Sequence, residues 1–169
     1  WLGSNQLSCL YGSSNTGKSF LALDMSWHIA TGRAWNGNRL SQGVVLYLAT
    51  EGGNSFRNRV FALKEHYGDK NALLAVRPSP VDLFNTEVDL PTLTKLCDEI
   101  RDEKGEIAMI VVDTLSRAMA GANENTSEDM SQFIKNCDLL RNVSGAHLMI
   151  VHHSGKDTSR GARGSSALR

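Results

Sequence analysis

Residues 12–19, Gly12-Ser13-Ser14-Asn15-Thr16-Gly17-Lys18-Ser19, constrain the fold more than any other stretch, because they fit G-x-x-x-x-G-K-[ST]. Such a loop works only between a strand and a helix. Its glycines let the backbone curl until successive N–H groups face one point, and the helix N-terminus adds partial positive charge there. The flanks satisfy that condition. "QLSCLYG" (Gln6 to Gly12) reads as a buried strand, and Phe20, Leu23, Trp27 and Ala30 recur at helical steps until Gly32 stops them. The ligand such a cradle takes is the phosphate chain of a nucleotide, along Gly12, Ser13, Ser14, Asn15, Thr16, Gly17, Lys18, Ser19 and Phe20. Lys18 would reach the β- and γ-phosphates, and the Ser19 hydroxyl would ligate Mg²⁺.

The remaining chain repeats the strand-then-helix rhythm. "GVVLYLATE" (Gly43 to Glu51), "ALLAV" (Ala72 to Val76), "IAMIVVD" (Ile107 to Asp113) and "HLMIVHH" (His147 to His153) are near-continuous apolar runs, as in strands covered on both faces. Helical stripes lie between them: Phe56, Val60, Leu63 and Tyr67; Leu93, Leu96 and Ile100 behind Pro91; and Met130, Phe133, Cys137 and Leu140, with Asn125 and Glu128 spaced as a capping box. "RPSPVDLFNTEVDLP" (Arg77 to Pro91) is the longest loop-like piece. Strands alternating with helices predict an α/β domain with a mostly parallel sheet and helices on both faces. At 169 residues one domain, 1–169, accommodates everything.

Composition narrows the function classes. Eighteen basic residues balance eighteen acidic ones, so a nucleic-acid surface must be a local patch. The most basic stretch is the last fourteen residues, with Lys156, Arg160, Arg163 and Arg169 against Asp157. The three cysteines are scattered, without a C-x-x-C pair, which predicts a reducing, cytoplasmic setting. No apolar stretch reaches the roughly 18 residues of a membrane span, so no membrane partner is expected. The first residue is Trp1, and the chain reads as a fragment of a longer protein.

Two strand ends carry carboxylates. Asp113 closes "IAMIVVD", where a Walker B aspartate must stand to hold the Mg²⁺ shell; many strand-end aspartates merely cap helices. Thr114 follows it, so no adjoining glutamate can activate water. Glu51, ending "LATEGG", can accept that proton from another strand end; otherwise it is an exposed strand-end residue. The adjacent His152 and His153 could be metal ligands, a general base, strand-end residues or sensors of a bound group.

Taken together, the phosphate loop, "LATEGG", "VVDTLSR", "ANENTSEDM", "VHHSGK" and "RGSS" resemble the RecA-type ATPases, and within them the RepA-type replicative helicases of plasmids and phages. The phosphate loop is shared too widely to identify that family; the ordered combination of the others is far more specific. The resemblance covers nearly the whole chain. It implies a RecA-like core that hydrolyses ATP with Mg²⁺, acts on single-stranded DNA and assembles with copies of itself. It assigns the γ-phosphate sensor to the "HH" pair, with His153, the outermost, as the stronger candidate. It assigns a trans-acting arginine finger to Arg163, with Arg160 a rival, and matches Lys156 to the family's lysine. Arg117 could contact nucleotide, DNA or a neighbour. RepA-like domains continue past "RGSS" into further strands, so the sheet here is expected to be C-terminally incomplete. Two other readings remain: a filament-forming recombinase ATPase, and a nucleotide-gated regulator that moves nothing.

Overall fold

The β-branched and leucine runs collect into one sheet, because a strand apolar on both sides is stable only with helices above and below it. A computed structural model describes residues 2–51, 53–68 and 71–153. Five strands, β1 (Leu7–Gly12), β2 (Val44–Ala49), β3 (Leu74–Arg77), β4 (Ile107–Asp113) and β5 (His147–His153), lie in the order β1-β5-β4-β2-β3. Every pairing is parallel. The α/β class, the parallel sheet and all five strands agree with the sequence reading, and the edges shift by a residue or two.

Alternation along each strand divides the core into two layers. Val45, Tyr47, Met109, Val111, Met149 and Val151 face α1 (Lys18–Thr31) and α2 (Asn54–Tyr67). Leu46, Leu48, Ile110, Val112, Leu148 and Ile150 face α3 (Leu90–Lys104), α4 (Leu115–Ala118) and α5 (Ser127–Ser144). Leu93 and Phe133 are fully buried in that second layer, and truncating either to alanine would cost about 2–5 kcal/mol. Gly43 enters β2 so close to β4 that an added Cβ would sit 2.7 Å from the Ala108 methyl.

Four local expectations need correction. Phe20 does not belong to the buried stripe of α1; it is 60 % exposed, and Ala22, Met25, Ser26 and Ile29 join Leu23, Trp27 and Ala30 inside. The cap of α5 lies one residue later than the Asn125–Glu128 spacing predicts. Thr126 is the N-cap, and its hydroxyl accepts from the Asp129 N–H. The chain also forms α4, a single turn too short to show periodicity. β2 stops at Ala49, because Thr50 turns to bond β4 rather than extending the ladder to Glu51.

Residues between β3 and α3 form no regular element, as expected, yet they are anchored. The buried Asn136 of α5 donates to the Leu83 and Phe84 carbonyls at 2.9 and 2.7 Å, and Arg77 pairs with Asp89 at 2.7 Å. Leu83 and Val81 thereby reach the core.

Candidate functional site

Parallel register brings the carboxyl ends of the strands to one crest. Gly12 pairs with His153, Ala49 with Asp113, and Asp113 with Val151. The chain leaves β1 and passes over two strands before entering β2, and open α/β sheets bind ligands in the crevice beyond strand ends at such a switch.

The phosphate loop forms as its sequence requires. Gly17 is the N-cap of α1 with φ 86°, left-handed backbone that a side chain would strain, and Asn15 shares that region at φ 61°. Lys18 is only 8 % exposed. Its ammonium donates to the Gly12 and Ser13 carbonyls at 2.9 and 2.7 Å and lies 3.4 Å from His153 Nδ1. All three ammonium protons therefore have acceptors. An ammonium cannot accept, so this contact places a lone pair on His153 Nδ1 and the ring proton on Nε2. Ser14 Oγ reaches the same nitrogen at 3.3 Å. Burial lowers the proton affinity of Lys18, and the Asp113 carboxylate opposes that shift.

Asp113 is held from several sides. Oδ1 accepts from Ser19 Oγ at 3.1 Å and Oδ2 from the Tyr47 hydroxyl at 2.7 Å. Its carbonyl accepts from both the N–H and the hydroxyl of Thr50, at 2.8 and 2.9 Å. The Thr50 hydroxyl in turn accepts from the Thr114 N–H at 2.8 Å. The Asp113–Thr114 peptide is cis. Burial, then the Asp113 carboxylate, pushes the Tyr47 phenol well above its ordinary range, so it stays protonated and donating.

Glu51 is exposed and lines a small cleft of about 40 Å³ with Ser19, Asp113, Phe56 and Arg59. Hydroxyl and carboxylate oxygens are hard donors. Ser19 and Asp113, 3.1 Å apart, fit a Mg²⁺ ion that draws its other ligands from substrate phosphates and water. His152 is fully buried, whereas His153, one residue on, faces the phosphate loop. Arg163, Lys156 and Arg160 lie outside the described residues. Arg117 is exposed at α4.

Two site residues escaped the sequence reading. Tyr47 carries the hydroxyl in the otherwise apolar "VVLYLA", and a buried phenol must find a partner; that signal was available. Arg59 lines the cleft, with its guanidinium 4.7 Å from the exposed Phe20 ring. It falls three residues after Phe56 on the same helix face, a weaker signal.

No curated protein matches the chain significantly. A family model described as an AAA domain (AAA_25) matches residues 1–159, nearly the whole sequence, and so takes in the phosphate loop, Glu51, Asp113 and the histidine pair. The match covers far more than half of the sequence, and the chain belongs to the AAA domain family, whose members are ATPase-type nucleotide-binding domains.

Proposed function

We propose that this domain is the Mg-ATP-hydrolysing core of an oligomeric, DNA-acting motor of the RepA-helicase type, working in the cytoplasm. One observation carries the ATPase half: Ser19, Asp113 and Glu51 line the same cleft beside the buried Lys18. The DNA half rests on the resemblance in "VVDTLSR", "VHHSGK" and "RGSS", and on the basic residues after His153.

In this reading Lys18 exchanges its loop carbonyls for β- and γ-phosphate oxygens. Ser19 and Asp113 hold Mg²⁺, which neutralises charge on those phosphates when bound. Glu51 takes a proton from water as its oxygen bonds to the γ-phosphorus and the bond to the β-phosphate oxygen breaks, leaving ADP and inorganic phosphate. His153 senses the γ-phosphate through its contact with Lys18 and Ser14. Arg163 acts on a neighbour's site, and Arg59 adds positive charge at the cleft.

The test is ATP hydrolysis by the whole protein with and without single-stranded DNA. A motor is stimulated by the DNA. Slow hydrolysis indifferent to DNA would instead favour the nucleotide-gated regulator, and extended filaments in electron microscopy the recombinase.

A further inference from the structure

We infer that Tyr47 is the positioning residue for the metal-binding carboxylate: its phenol holds Asp113 Oδ2 and leaves Oδ1 aimed at Ser19, where Mg²⁺ would bind. The inference rests on the reading of Asp113 as the metal carboxylate and adds how its two oxygens divide their work.

A free carboxylate rotates about χ2 and offers either oxygen. Here rotation would break the 2.7 Å bond from Tyr47 and leave a buried phenol without an acceptor. The phenol cannot swing aside. Tyr47 is fully buried in a central strand, and its ring packs 4.7 Å from that of Phe56. The backbone of Asp113 is pinned independently by Thr50, so the side-chain torsions are the remaining freedom, and Tyr47 removes it. A hydroxyl on Oδ2 satisfies the oxygen that faces the core, and Oδ1 shares the cleft with Ser19. Groups that orient a metal ligand in this way typically carry about 10–100-fold in metal affinity.

The decisive substitution is Tyr47→Phe, which keeps the ring and its packing and deletes only the hydroxyl. The readout is binding of a non-hydrolysable fluorescent ATP analogue as Mg²⁺ is titrated, with an EDTA control. We expect Tyr47→Phe to raise the Mg²⁺ concentration for half-maximal enhancement about tenfold or more, while affinity in EDTA stays at the wild-type value. Asp113→Asn, measured alongside, must weaken the Mg²⁺ enhancement more severely. The double variant Tyr47→Phe/Asp113→Asn removes the phenol and the carboxylate charge together and should behave like Asp113→Asn alone, because a residue that acts through Asp113 adds nothing once the carboxylate is gone. That comparison also serves if Tyr47→Phe folds poorly. Wild-type Mg²⁺ dependence in Tyr47→Phe, or strict additivity in the double variant, overturns the role of Tyr47. Unchanged Mg²⁺ dependence in Asp113→Asn overturns the underlying assignment of Asp113 instead.

Discussion

Lys18→Ala tests the phosphate site most directly, and its magnitude follows from where the lysine already is. The ammonium is not free before nucleotide arrives, since it donates to the Gly12 and Ser13 carbonyls and contacts His153. Binding energy is therefore the difference between phosphate contacts and those existing bonds. A hydrogen bond with one ionised partner is roughly twice as strong as a neutral one, and the Lys18 bonds to carbonyls are already of that kind; a charged phosphate acceptor adds about one further net hydrogen bond per contact, about 1–1.5 kcal/mol. Two exchanged contacts then gain about 2–3 kcal/mol, which corresponds to a roughly 30- to 150-fold loss of ATP affinity on substitution. The same substitution strips the loop of its internal tether, so melting measured without added nucleotide should shift down slightly while the fold persists. Titration of a fluorescent ATP analogue in Mg²⁺, paired with circular dichroism melting, measures both. A folded variant that binds the analogue within threefold of wild type would refute the phosphate-site argument.

Glu51→Gln should keep ATP affinity and lower turnover about a hundredfold or more, as loss of a positioned base implies; near-normal single-turnover rates would show that another group orients the water. Arg163→Ala in the whole protein should bind ATP normally but hydrolyse it roughly a thousandfold more slowly. Mixing it with Glu51→Gln should restore part of the activity, and the trans role fails if dilute monomers match concentrated protein per chain and mixing restores nothing. Burial lowers the proton affinity of the His147 ring, partly offset by its Gly3 carbonyl contact at 3.0 Å. Its stabilising contribution is thus complete above about pH 6.5, the ordinary histidine value, and is lost as pH falls and the unfolded chain protonates first. His147→Gln should flatten that part of the urea-stability profile, and parallel wild-type and variant profiles would sink the assignment.

What was legible in the sequence is what is local. Strands buried on both faces announce themselves as apolar runs, so "GVVLYLATE" and "HLMIVHH" lie within two residues of β2 and β5. The phosphate loop carries its own φ requirements in Gly17. Periodicity alone, however, could not place Phe20. A large apolar residue at the right step looks like core, but the first turn of α1 sits at the crest, where Phe20 stays largely exposed with the Arg59 guanidinium against its ring. The ends of β2 and the partners of Asp113 were hidden for a different reason. They depend on pairing β2 with β4 across some sixty residues: Tyr47 and Asp113 are 66 apart, Thr50 and Asp113 63. Strand order decides which side chains meet, and no spacing within one segment encodes it.

A different pairing, β5 with β1, bears on the sensor role proposed for His153. His153 ends β5, paired with Gly12 at the start of the phosphate loop, and its ring touches Lys18 and Ser14. The ammonium proton that points at His153 is one a phosphate oxygen would claim, since a negatively charged acceptor outcompetes a neutral ring nitrogen. Losing that proton leaves Nδ1 with the Ser14 hydroxyl as its partner among the described residues. The next residues along the chain lead to Lys156, Arg160 and Arg163. His152, by contrast, is fully buried. Two adjacent histidines of opposite facing are what a strand end needs if one must stay anchored and the other must face the loop.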